Sequence, residues 1–548
     1  MESQRSFLFI ALMVVTFLLY QQWQLDNAPI QQPIETTLAS NAVPTSNTTT
    51  ENGDFIPESS QLMPAVTKTN TVSEEVVSIK TDVLAVELST RGGDIVDVKL
   101  LNYDTEQGNG IPYTIMQNSN KKYVAQSGLT GAQGLDRIIP GRPLYSVTAT
   151  SFEMKDNQPL VVDLTYMAEN GLNVIKRFTF NPANYAINVE YIINNNSAST
   201  ASVQMYGQLK QSTLSDEDSS GLLPTYKGGA YSSSEDPYEK YGFDDIAEDN
   251  LNVTTDGGWV AMLEHYFVTA WVPNKTDINQ IYSSFSSKYE AVIGFKAPTV
   301  IIEANQEATT SAIFYVGPKD IDALEKLEEN LDLTIDYGFL FMISKPLFSL
   351  LILIQSFVTN WGVAIIIITL IVKGGMYPLT KAQYTSMAKM RELAPKMAQL
   401  KERFGDDRQK MSQATMEMYK KEKVNPAGGC LPLLIQMPIF LALYWVFLES
   451  VELRHAPFTL WLQDLSAQDP FYILPLLMGV SMFVMQKMQP MTIQDPMQQK
   501  IMQYMPVMFT VFFFWFPSGL VLYWLVSNLI SIVQMKIIFS GIEKAKNK

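Results

Sequence analysis

Lys373 stands in the run WGVAIIIITLIVKGGMY (361–377), where the residues before it are almost wholly apolar. A cation there does one of two jobs. If the helix begins at Trp361, Lys373 lies about twelve residues in, about 18 Å along the axis and inside hydrocarbon. If the helix begins near Leu351, Lys373 only marks the cytoplasmic flank, where long basic side chains snorkel. Polar side chains on other apolar segments bear on the choice: Thr369, Gln436, Ser481, Gln486, Ser527, Asn528 and Gln534. Each alone is explained by hydrogen bonding between helices. A charge with several amides on neighbouring helices points to a water-accessible groove that attracts acidic groups.

A second set is chemically softer. KAQYTSMAKMRELAPKMAQLKERFG carries Met387, Met390 and Met397 at helical spacing, and the segment after Gly405 carries Met411 and Met418. Unbranched, polarizable methionines suit contact with varied apolar segments. They equally suit packing of one helix of a hairpin on the other, and both readings stand. Basic residues between them favour anionic lipid heads or RNA.

Nothing in the chain reads as catalytic. There is no GxxxxGK[ST] loop, no HExxH, and no Ser-His-Asp set. A Ser/Lys pair built on Lys373 finds only Thr369, one turn away, as a hydroxyl. The two histidines, His265 and His455, lack cysteine neighbours and Cys430 is the one cysteine, so neither a zinc site, a cofactor nor an intrachain disulfide is expected.

These residues need elements to position them. Arg5 precedes an apolar run from Phe7 to Tyr20 with no small-x-small cleavage site, and Trp23 suits an interfacial anchor, so residues 1–24 predict an uncleaved signal-anchor helix. Residues 25–75, rich in Thr, Asn, Gln, Ser and Pro, predict a flexible tether. Short alternating runs such as VLAVELST, DIVDVKLL and YAINVEYII predict an all-β antiparallel sandwich over 76–336, interrupted by an acidic loop from Ser215 to Asn250 and closed by a short helix at 321–332. Residues 337–360, punctuated by Lys345-Pro346, predict a helix along the outer interface. Spans are expected at about 361–379, 431–448, 471–487, 501–516 and 519–539, with a helical hairpin over 380–424.

Charge orients this α-helical transmembrane bundle. Residues 25–345 hold 42 acidic against 20 basic residues, whereas 374–423 hold 11 basic against 6 acidic. The basic loop belongs in the cytoplasm and the acidic domain outside it. Six crossings put both termini and both basic loops inside; five would strand the basic tail outside.

NPAGGCLPLLIQMPIFLALYWV (425–446), YPLTKAQYTSMAKM (377–390), DPMQQKIMQYMPVMFTVFFFWFPSGLVLYW (495–524) and the opening MESQR closely resemble the YidC family of bacterial membrane protein insertases, related to the Oxa-type proteins of mitochondria and chloroplasts. The resemblance spans essentially the whole chain and is most specific from Tyr337 onward. It implies a five-helix insertase core behind an N-terminal anchor, a periplasmic sandwich of the Gram-negative type, and an inner-membrane location. It also implies a hydrophilic groove open to cytoplasm and lipid. Family members usually carry arginine where this chain has Lys373, so charge is kept and the bidentate fork is lost. Thr369 matches another groove position, Met437 and Phe440 match the substrate path, and Trp524 stands where a tyrosine is the better-known pattern.

The function implied is non-enzymatic insertion and chaperoning of nascent membrane proteins, alone or with the Sec translocon. Expected partners are the lipid bilayer, SecD/SecF, the ribosome and signal recognition particle components. A scaffold subunit of the Sec machinery is one rival. A small-solute transporter is another, and it would predict repeated halves that the sequence lacks.

Overall fold

The computed structural model describes residues 55–57, 74–119, 121–139, 141–213, 225–286, 289–404, 408–422, 431–488 and 496–546. The predicted signal-anchor and most of the tether lie outside the described residues.

The alternating segments fold into two sheets. One runs, strand by strand, Asn252–Asp256, Ile278–Ser286, Glu290–Ile302, Ala201–Ser212, Tyr123–Thr130, Ile95–Asp104, Leu84–Ser89, Val76–Lys80 and Ser151–Glu153, with Pro112–Met116 beside Ile95–Asp104. The other runs Glu239–Tyr241, Gly228–Ser232, Trp259–Leu263, Phe267–Pro273, Gln306–Pro318, Ala186–Asn195, Leu172–Phe180, Leu160–Met167 and Ser146–Val147. Pairing is antiparallel except between Val76–Lys80 and Ser151–Glu153. Leu172–Phe180 shows why: residues 172, 174, 176, 178 and 180 are buried and their neighbours half-buried, as a half-covered pleat requires.

The acidic stretch corrects the sequence reading. Part of it is sheet, because Gly228–Ser232 pairs with Trp259–Leu263 and with Glu239–Tyr241, and all five of its residues are buried. Within the tether, Phe55 is also placed: its carbonyl accepts from Gln208 Nε2 at 2.9 Å.

The sandwich interior contains an ionic cluster as well as apolar side chains. Arg142 donates to Asp94 at 2.5 Å, to Asp136 at 2.8 Å and to the Ser127 carbonyl at 2.8 Å. Lys176 donates to the carbonyls of Gly92 and Ser127, both at 3.0 Å. Burial, reinforced by repulsion from Arg142 and opposed by Asp94, pushes the Lys176 ammonium down to about 7.

Two short helices, α1 (Leu135–Ile138) and α2 (Phe243–Glu248), lie within the sandwich, and α3 (Ile321–Leu327) with a 3-10 turn (Leu331–Thr334) closes it as expected. Among the described residues nine further helices follow: α4 (Phe341–Val358), α5 (Trp361–Gly375), α6 (Tyr377–Glu392), α7 (Ala394–Phe404), α8 (Arg408–Lys421), α9 (Leu431–Glu449), α10 (Ile473–Met488), α11 (Pro496–Phe512) and α12 (Ser518–Lys546). By length and apolar composition α4 and α12 can each cross a membrane, as can α5 and α6 taken together across their 63° bend.

The first arm of the expected hairpin is broken. Pro395 has no N–H to continue α6, so α6 ends at Glu392 and α7 starts afresh. One apolar cluster runs from Trp259, Val268 and Ala270 through Leu331 and Ile335 to Leu351, Ile365, Leu443 and Val446, joining sandwich to bundle. Arg454 adds a polar clamp, donating to the Asp104 carbonyl at 2.7 Å while its guanidinium lies over Tyr113 and Phe267.

Candidate functional site

The start of α5 places Lys373 within its helix. Asn360 caps the helix, its side chain accepting from Val363 N at 3.0 Å, so the helix begins at Trp361. Lys373 therefore falls in the last turn of α5 and is 7% exposed. Its ammonium meets a neighbouring helix.

α12 supplies what answers it. The Lys373 ammonium donates to Ser531 Oγ at 3.1 Å, and Ser531 in turn donates to the Ser527 carbonyl at 2.8 Å. Gln534 Nε2 donates to the Lys373 backbone carbonyl at 3.2 Å, while Gln534 Oε1 is buried without a partner. Ser527, Asn528, Ser531 and Gln534 are all buried, and their spacing sets them along one side of α12. On α10, Ser481 accepts from Asn528 Nδ2 at 3.0 Å and donates to the Met478 carbonyl at 2.6 Å. No carboxylate among the described residues forms an ion pair with Lys373. The ammonium thus has donors to spare in a polar strip that brings no negative charge of its own.

A small residue lets α10 approach α11. A Cβ at Gly479 of α10 would meet Thr510 Oγ1 of α11 at 1.9 Å. The loop before α12 fixes its start: Ser518 Oγ donates to the Asp464 carbonyl at 2.7 Å, and Gly519 N to the Leu465 carbonyl at 2.9 Å.

The other expected residues divide into three groups. Phe440 and Trp524 form an aromatic wall, ring centroids 4.7 Å apart and edge to face, extended by Phe513 at 4.7 Å from Trp524. Thr369 is fully buried and its hydroxyl donates to the Ile365 carbonyl of its own helix at 2.6 Å, so it is not joined to Lys373. Gln436 is half-buried, and Met437 is exposed on the outer side of α9. Gln486 donates to the Met502 carbonyl of α11 and links two helices instead of joining the strip.

The methionines of the hairpin differ in their surroundings. Met387 packs with Tyr384 against Met535 and Ile538 of α12, alongside Met485 and Met488. Met390, Met397, Met411 and Met418 are half-buried, and among the described side chains of α8 the exposed large apolar one is Met416. Sequence reasoning missed Ser531, although its position four residues after Ser527 and three before Gln534 was a sufficient signal.

The chain is similar to known proteins along nearly its whole length. Residues 76–350 match the family described as YidC periplasmic domain, and 353–546 match that described as 60Kd inner membrane protein. The membrane protein insertase YidC of Shewanella sp. (strain W3-18-1) is 55% identical over 547 residues, covering 99% of each chain. That of Shewanella pealeana is 53% identical with the same coverage. Among solved structures, the crystal structure of an active YidC insertase with its first transmembrane domain resolved has a TM-score of 0.37 and 20% identity, covering 85% of this chain and 93% of that one. With two contiguous family matches and relatives above half identity from end to end, the chain belongs to the YidC family.

Proposed function

We propose that this protein is a membrane protein insertase and chaperone of the bacterial inner membrane, and that the Lys373 strip is where it receives the polar part of a substrate. One observation carries the reading: a buried cation with donors to spare, held by hydroxyls and amides rather than by a carboxylate. A charge kept inside a bundle at that cost is functional by default. An acidic substrate terminus supplies the missing counter-charge. Lysine without the guanidinium fork attracts it without demanding bidentate geometry.

In this reading the hairpin α7–α8 meets a nascent apolar segment first, with Met416 the methionine that stands free on its surface. The polar terminus or loop then enters beside Lys373, Gln436 and Asn528. Apolar residues slide past Met437, Phe440 and Trp524 into lipid. Burial of about twenty apolar residues drives the process at about 25 cal/mol per Å², so neither nucleotide nor covalent chemistry is needed. The exposed flank of α4, with Met342, Leu353 and Phe357, is apolar and faces lipid along the outer interface. Both termini and the basic hairpin are cytoplasmic and the sandwich periplasmic. The Sec translocon with SecD/SecF, the ribosome and signal recognition particle components are the partners the family implies.

A photocrosslinker placed at Gln436 or Trp524 tests the route. A ribosome-bound single-span substrate with an acidic terminus is expected to crosslink at both positions. Adducts confined to the sandwich would overturn the route and favour a scaffold role.

A further inference from the structure

The periplasmic loop between α9 and α10 carries a feature that bundle packing does not account for. Leu460 is 74% exposed and adopts φ +54°, a left-handed conformation that costs an ordinary L-residue about 1 kcal/mol. Glycine or asparagine would suit both the backbone and water better. Around it, residues 456–462 (APFTLWL) contain no charged side chain.

Three carbonyls of the turn are hydrogen-bonded within the loop. Leu462 N donates to the Thr459 carbonyl at 3.0 Å, and Phe458 N donates to the Leu462 carbonyl at 2.9 Å. The Leu460 carbonyl accepts from Gln463 Nε2. With the Thr459, Leu460 and Leu462 carbonyls bonded, the tip carries less of the penalty that keeps open loops out of an apolar medium.

Its position is fixed by the first helix of the bundle. Asn360 Nδ2 donates to the Phe458 carbonyl at 2.9 Å, and a Cβ at Gly362 would meet the Phe458 ring at 2.0 Å. The turn therefore lies at the outer end of α5. Phe357, 80% exposed in the last turn of α4, stands two residues before Thr359-Asn360 and continues the apolar face that ends there. The same loop meets the sandwich, since Gln107 Nε2 donates to the carbonyls of His455 and Gln463.

We propose that the Thr459–Leu462 turn is a keel that inserts Leu460 into the outer leaflet beside Phe357 and so sets the height of the sandwich over the bilayer. The partner is lipid: the patch continues a lipid-facing helix side, is uncharged, and has a hydrogen-bonded backbone. The proposal rests on the topology given above.

The test uses the full chain in liposomes, with Cys430 replaced by serine and a nitroxide attached at Leu460→Cys, Phe357→Cys or Glu169→Cys. Collision with oxygen, which partitions into lipid, is compared with collision with an aqueous nickel chelate. Oxygen is expected to dominate at 460 and 357 and the chelate at 169, an exposed turn of the sandwich. Aqueous behaviour at 460 with lipid behaviour at 357 would overturn the keel alone. Aqueous behaviour at both would overturn the topology and the keel with it. Shielding from both reagents at 460 would mean a protein contact and also contradict the proposal.

Discussion

The ammonium of Lys373 on α5 and the hydroxyl of Ser531 on α12 meet at 3.1 Å, although 158 residues separate them in the chain. Ser531 gives its own proton to the Ser527 carbonyl, so it offers Lys373 a lone pair. The hydroxyl orients the cation without neutralising it, which is what a site awaiting an acidic ligand requires.

Ser531→Ala removes that acceptor and leaves the charge. Insertion of acidic-tailed substrates is expected to fall about threefold to tenfold, the loss of about one hydrogen bond to a charged group. Substrates with neutral tails should be unaffected, and initial rates on matched substrate pairs would show the difference. Equal losses on both would make Ser531 a packing residue.

Gly362→Ala should be disproportionately costly for so small a change, because its Cβ runs into the Phe458 ring at 2.0 Å. Making room for it shifts Phe458, whose backbone carbonyl accepts the Asn360 bond that ties the loop to α5. A destabilisation of about 1–3 kcal/mol is expected from overpacking, read as a lower midpoint of thermal unfolding in detergent. Pairing Gly362→Ala with Phe458→Ala should recover part of it by restoring space.

Arg142→Met leaves Asp94 and Asp136 buried without their cation. The sandwich should lose about 3–5 kcal/mol in denaturant unfolding. Replacing Arg142, Asp94 and Asp136 together with apolar residues should cost less, because no carboxylate is then stranded and the buried Lys176, already pushed down to about 7, can give up its proton.

Glu452 makes the junction of sandwich and bundle sensitive to pH. Burial pushes its carboxyl up to about 7, Asp320 and Asp322 add repulsion, and a backbone hydrogen bond opposes the rise. The folded protein therefore holds a proton that the unfolded chain releases between about 4.5 and 7. Stability contributed here grows as pH falls through that window and is lost as pH rises through 7. Glu452→Gln should be more stable than the parent at about pH 8, by roughly 2–3 kcal/mol, and converge with it near pH 4.5. Thermal unfolding across that range checks the sign.

How much of this was legible beforehand depended on whether a signal was local. Trp361 and Leu351 both stayed open as the helix start, because the Asn360 cap that decides between them shows itself only as a contact to Val363 N, whereas strands such as Leu172–Phe180 follow from alternation. Gly228–Ser232 was hidden within an acidic, glycine-containing stretch, because its strand character comes from pairing with Trp259–Leu263. The break before α7 was marked by Pro395, yet a run of helix formers on both sides masked it. The Arg142 cluster joins residues 48 and 6 apart whose meeting depends on sheet topology, so no pattern announces it. Within the site, Lys373, Asn528 and Gln534 stand out as polar groups in apolar runs. Ser531 is small enough to pass as a helix-packing residue until its spacing is counted.

The central claim is that the charge of Lys373 receives acidic substrate segments, and purified protein in proteoliposomes tests it most directly. Insertion of paired single-span substrates, one with an acidic and one with a neutral outgoing terminus, would be measured for the parent, Lys373→Arg and Lys373→Ala. Lys373→Arg is expected to match the parent, while Lys373→Ala should lose at least tenfold on the acidic substrate and little on the neutral one. Equal insertion of both substrates by Lys373→Ala would contradict the account and reduce the lysine to a marker of topology.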